Sequence, residues 1–107
     1  MIKISRIVDN KVDYNVTYEI YVNDILLDRL ENGESKSFRL KIGSSYKMFI
    51  KNKDKISNVI TFDMDNDQVI EFECGPMYKQ TFLSKFSKDK KYTNHHIKLV
   101  ITKDFHL

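Results

Sequence analysis

A chain of 107 residues that is 41% hydrophobic and 31% charged is sized for one domain with its own core, and its overall composition is globular rather than disordered. The single cysteine, Cys74, excludes an internal disulfide, and no stretch approaches the roughly 18 apolar residues of a membrane-spanning helix. The opening M-I-K-I-S-R-I-V-D-N lacks the apolar run of a secretory signal, so a soluble, cytoplasmic protein is expected. The net charge of +3 is unevenly placed: residues 1–75 carry 11 Lys or Arg against 13 Asp or Glu, and residues 76–107 carry 7 against 2. A near-neutral module is therefore followed by a basic last third.

Ile2–Arg6 alternates apolar and polar residues, as a half-buried first strand does. Val8 to Asn15 is polar and turn-rich, and reads as a loop crossing between sheets. In Tyr18–Val22, residues Tyr18, Ile20 and Val22 share one face. Asn23-Asp24 tolerate the positive φ that a two-residue type I′ turn needs, so Ile25–Leu30 is expected to return antiparallel, with Leu26 and Leu30 on one face. Asn32-Gly33 is the strongest short hairpin signal in the chain and marks the next reversal. Ser37–Ile42 is the cleanest alternating stretch, with Gly43 after it at an expected positive φ. Tyr46, Met48 and Ile50 alternate with Lys47, Phe49 and Lys51. N-K-D-K at 52–55 is a solvated loop, and Ile56–Phe62 and Val69–Cys74 form two more strands joined by the acidic turn Asp63–Asp67.

Gly75-Pro76 then punctuates the chain. Met77–Lys88 fits a helix through Tyr78, Phe82, Leu83 and Phe86, with Pro76 near its first turn, or a strand of period two; the helix is preferred because Gln80 and Ser84 suit a buried strand face poorly. Ile97, Leu99 and Ile101 mark a final strand. Short β-rich runs with turns every 8 to 12 residues predict an all-β fold. The expectation is an antiparallel β-sandwich of seven or eight strands, with a short helix or irregular segment before the last. It forms one domain, 1–76 as the core sandwich and 77–107 as the basic segment. The expected core is Ile4, Ile20, Val22, Leu26, Phe38, Leu40, Ile42, Met48, Ile50, Ile60, Phe62, Ile70 and Phe72.

Tyr21-Val22-Asn23-Asp24, Gly33-Glu34, Gly43 and Phe72-Glu73-Cys74 give residues 16–75 a shape that resembles the PEGA-type small β-sandwich domains. It is similar too to uncharacterised β domains of Firmicutes. The Pro-Glu-Gly-Ala signature that names PEGA domains is absent. The resemblance implies an accessory or binding domain, with no reaction and no catalytic residues to carry over.

Residues that could carry chemistry are few. Asp63-x-Asp65-x-Asp67 begins like a calcium loop, but Gln68 stands where the sharp turn needs glycine and Cys74 where a bidentate glutamate belongs, so a solvated turn is the better reading. Adjacent strand residues such as His95 and His96 point to opposite faces, and with His106 they make no credible zinc set. Cys74 as a nucleophile would need one of those histidines beside it; a lone cysteine at a strand end is more often a small buried apolar group. Asn15-Val16-Thr17 matches a glycosylation acceptor, which without an export signal reads as chance. No cofactor, no metal and no small-molecule substrate is evident, and the chain reads as a non-enzyme.

Lys85, Lys88, Lys90 and Lys91, interleaved with Phe82, Phe86 and Tyr92, form the one real charge cluster and the one candidate anion-binding segment. Such a pattern can serve single-stranded nucleic acid or an anionic membrane surface. The leading expectation is a protein-interaction module, with a protein partner or a second copy pairing along a sheet edge. Binding of anionic lipid or nucleic acid through residues 78–92 is the alternative.

Overall fold

The computed structural model describes residues 1–10, 12–53, 55–77 and 97–107. They form an all-β sandwich of two sheets. The strands in chain order are β1 (Ile2–Arg6), β2 (Tyr18–Val22), β3 (Ile25–Leu30), β4 (Ser35–Phe38), β5 (Ser45–Asn52), β6 (Lys55–Ile56), β7 (Ile60–Asp63), β8 (Gln68–Pro76) and β9 (Ile97–His106). One sheet has the order β4-β1-β8-β9; the other runs β3-β2-β5-β6, with β7 also on β5. Among the described strands every pairing is antiparallel except β1 with β8, which is parallel from Ile2↔Ile70 to Arg6↔Cys74; the isolated bridge Ser57↔Ile97 is parallel too.

Alternation explains the core. Ile2 and Ile4 of β1, Ile70, Phe72 and Cys74 of β8, and Leu99 of β9 line the inner face of the first sheet. Tyr18, Ile20 and Val22 of β2 and Met48 and Ile50 of β5 line the second. Phe62 and Phe72 meet between the layers with ring centroids 5.2 Å apart, in the tilted arrangement that aromatic rings favour.

The turns follow their chemistry. Asn23 and Asp24 take φ values of 52° and 66°, as the two-residue link between β2 and β3 requires, and Gly43 has φ 78°. Gly33, at φ 79°, turns the chain without making a hairpin: it carries it from β3 in one sheet to β4 in the other. A Cβ there would stand 3.0 Å from Val8 Cγ2, the end of an exposed side chain that can shift, so the dihedral angle is what calls for glycine. The acidic turn after β7 likewise passes between sheets, to β8.

Other expectations need correction. A bulge between Ile20/Tyr21 and the facing strand leaves Leu27 as the extra residue of β3. The bulge shifts the face by one position, so Leu27 packs on the core in place of Leu26. The alternating stretch 37–42 leaves the sheet after Phe38; Leu40 still packs on the core, but Ile42 is 54% exposed. The single strand expected over 56–62 is broken into β6 and β7 at Ser57-Asn58-Val59. β8 runs through Gly75-Pro76 instead of stopping before them. Residues 78–88, whose pattern admits helix or strand, lie outside the described residues.

Candidate functional site

Among the described residues, two of the places where no neighbouring strand completes the backbone are treated in opposite ways. The first is the end covered by the loop after β1. Arg6 has the same parity as Ile2 and Ile4, so its side chain enters the core, where it is 2% exposed. There Nη1 donates to the carbonyls of Val16 (2.7 Å) and Leu30 (2.9 Å), and Nη2 donates to the carbonyl of Asp13 (2.6 Å). The guanidinium carbon lies 3.8 Å from the centre of the Tyr18 ring, a cation–π contact in a dry setting. Its Nε has no hydrogen-bond partner among the described residues.

Tyr18 donates its hydroxyl to Asp13 Oδ2 (2.6 Å), and Lys55 Nζ meets Asp13 Oδ1 at 2.7 Å. Asp9 Oδ2 in turn accepts the backbone N–H groups of Val12 and Asp13. The result is a charged cluster that ties the loop to β1, β2, β3 and β6. Burial, reinforced by the hydrogen bond to Asp13, pushes the Tyr18 hydroxyl well above its ordinary range. A phenol held neutral and a guanidinium occupied by three carbonyls are not poised for proton transfer; this end is a latch.

The second place is the outer edge of β9. At Ile97 a bridge to Ser57 covers it, and Asn58 then stands in for a strand: its Nδ2 donates to the Leu99 carbonyl and its Oδ1 accepts the Leu99 N–H, both at 2.9 Å. From Val100 to His106 no described strand pairs on that side. The side chains there are half-buried or exposed, among them Ile101 (42%) and Phe105 (40%). Thr102 is an extra residue against β8, between the pairs Phe72↔Ile101 and Glu71↔Lys103, and its hydroxyl donates to the Glu71 carbonyl. The far end of the strand is fastened. Gln68 Nε2 donates to Asp104 Oδ1 at 2.8 Å, and the Leu107 N–H donates to the Asp67 carbonyl.

The sequence-level candidates fare unequally. Lys85, Lys88, Lys90 and Lys91, with His95 and His96, lie outside the described residues. Asp63, Asp65 and Asp67 do not converge. Asp63 accepts the Ser45 hydroxyl, Asp65 sits in a turn closed by Gln68 and lies 3.8 Å from His106 Nε2, and Asp67 supplies the positive φ. No group of three or more metal-ligating side chains forms among the described residues. Cys74 is buried in the core, and burial pushes its thiol up to about 12 against a smaller opposing pull from Arg6. That disfavours the thiolate a nucleophile requires.

Arg6, Asp13 and Asn58 went unrecognised in the sequence. For Arg6 the signal was present, since a strand that buries residues 2 and 4 also buries residue 6. For Asp13 and Asn58 there was none. No described helix is long and apolar enough to cross a membrane. The chain matches no family model, and no curated protein or solved structure gives a significant match to it.

Proposed function

We propose that the protein is a non-enzymatic interaction module that takes an extended segment of a protein partner along the outer edge of β9. The observation that carries this reading is the abrupt end of edge protection at Leu99. Asn58 completes that residue's two backbone groups, and among the described residues no strand pairs with those that follow, beside the exposed Ile101 and Phe105. An incoming strand would gain backbone hydrogen bonds along the edge and side-chain contacts at alternate positions. The anchoring of Asp104 and Leu107 holds the edge in one shape beforehand, which lowers the ordering cost of association. The bulge at Thr102 and the charge of Lys103 are devices that discourage unselective pairing of an open edge, and they favour a partner segment with an acidic residue facing Lys103.

The test is selection from a displayed library of random peptides against the whole protein. The counter-selection uses the double variant Ile101→Lys, Phe105→Lys at an unchanged melting temperature. Recovery of alternating apolar peptides that bind the native protein at both about 50 and about 500 mM NaCl, and not the variant, supports the reading. Peptides that bind both proteins equally, or only at low salt, overturn it and turn attention to the basic segment 78–92.

A further inference from the structure

The turn between β3 and β4 carries a covalent weak point that the loop after β1 holds in check. Asn32 and Gly33 lie in an exposed turn, closed by the Glu34 N–H on the Glu31 carbonyl at 3.0 Å. An asparagine followed by glycine is well disposed to lose its side-chain amide, because no Cβ shields the glycine nitrogen. That nitrogen attacks Asn32 Cγ, the Cγ–Nδ2 bond breaks, and ammonia leaves with the proton of the Gly33 N–H. Water then opens the five-membered imide at either carbonyl. The product is aspartate or, with the chain rerouted through the side chain, isoaspartate.

Two features of the fold oppose the first step. Asn32 Oδ1 accepts the Asp9 N–H at 2.9 Å and Nδ2 donates to the Asp9 carbonyl at 2.7 Å, so the amide pairs with one residue's main chain as a neighbouring strand would. Both bonds rely on a flat amide, and attack on Cγ makes that carbon tetrahedral. Val8 stands over the same turn, its Cγ2 3.0 Å from where a Cβ of Gly33 would lie. Asp9 is itself only 3% exposed, and its Oδ2 accepts the N–H groups of Val12 (3.2 Å) and Asp13 (2.7 Å). Asn32 thereby pins the loop whose Asp13 engages Arg6 and Tyr18.

We infer that Asn32-Gly33 is a deamidation site that works as a one-way switch: it is spared while the loop after β1 is docked, reacts when the loop opens, and then prevents the loop from docking as before. Conversion replaces the Nδ2 donor by a carboxylate oxygen, which faces the Asp9 carbonyl as acceptor against acceptor. In the isoaspartate product an added backbone carbon also pulls Gly33 out of the Glu31–Glu34 turn. None of this involves the β9 edge.

The experiment incubates the whole chain at mildly alkaline pH, folded in buffer and unfolded in urea, and follows Asn32 by peptide mass mapping and isoaspartate-specific methyl labelling. Conversion should be about tenfold or more slower in the folded protein. Asp9→Ala, which frees the loop from the Val12 and Asp13 N–H groups, should bring the folded rate toward that of the unfolded chain. Asn32→Asp, the product made directly, should speed amide exchange at Asp9, Val12 and Asp13 and leave Leu99 and Phe72 unchanged. If Asp9→Ala fails to fold, the exchange pattern of Asn32→Asp decides on its own. Equal conversion in the folded and unfolded chains overturns the shielding, as does a folded Asp9→Ala that converts no faster than the native protein. Unchanged exchange at Asp9 and Asp13 in Asn32→Asp overturns the switch.

Discussion

The latched end of the sandwich and the outer edge of β9 face the same problem, backbone groups without a strand to complete them. At the latched end water is excluded, and a buried arginine is committed to three carbonyls at once. At the edge one asparagine completes one residue, and no described strand completes the rest. The contrast follows from the cost of an unpaired polar group, which is severe in a dry core and small at a wet surface. It also separates stability from association, because changes at the first site should unfold the protein and changes at the second should leave it folded.

The largest expected effect is that of Arg6→Ala, which strands three carbonyls and removes the cation from the Tyr18 face. It should cost about 3–5 kcal/mol in urea unfolding, the range for breaking a buried charged cluster. Arg6→Lys should recover only part of this, since an ammonium cannot span the carbonyls of Asp13, Val16 and Leu30 as the guanidinium does. A loss under about 1 kcal/mol for Arg6→Ala would mean the latch is ornamental.

Tyr18→Phe comes next, at about 1.5–3 kcal/mol, because it deletes one hydrogen bond to a buried carboxylate and leaves Asp13 to Lys55. The same variant should alter the alkaline limb of stability. Tyr18 and Cys74 are both raised above their ordinary values of 10.0 and 9.0, so the folded state keeps its protons longer than the unfolded state does. Their contribution is complete below about pH 9 and falls as pH rises, by about 1.4 kcal/mol per pH unit for each group that only the unfolded chain has lost. Urea midpoints measured from about pH 8 to about pH 11 should decline steeply in the native protein and less steeply in Tyr18→Phe. An equal slope in both would remove Tyr18 from the account.

Smaller still is Asn58→Ala, which should lower stability by about 1 kcal/mol and raise the amide exchange rate of Leu99 without changing that of Phe72 on β8. If the Leu99 amide stays protected, the edge has another guard. At the low end, Ile101→Lys should move stability by no more than about 0.5 kcal/mol, the value for a solvent-facing site, while abolishing any peptide binding at β9.

Much of this architecture was legible because alternation in β-rich runs reports which face is buried. Tyr18, Ile20 and Val22, and Met48 and Ile50, stand where their spacing put them. Local pattern carries no information about which sheet a strand joins. Asn32-Gly33 looks like a hairpin turn and serves as a passage between layers, since the turn itself requires only the positive φ. The face of β3 departs from its simple alternation at one bulge, because a single inserted residue inverts everything beyond it. The break at Ser57 was hidden for a related reason: its hydroxyl accepts the Ile50 N–H, so a side chain replaces part of the ladder without any gap in composition.

The parallel ladder between β1 and β8 bears on the order in which the chain can fold. β1 lies at the centre of its sheet, between β4 and β8, and the N–H of Ile70 is met by the carbonyl of Met1. Ile2 and Ile4 therefore have only one finished flank until the segment around residue 70 reaches them. β2, β3 and β5 can assemble from neighbours in the chain, whereas the other layer waits for a distant strand. Closing so long a loop is slow relative to forming local hairpins, so the second sheet should form early and the first sheet should set the overall rate.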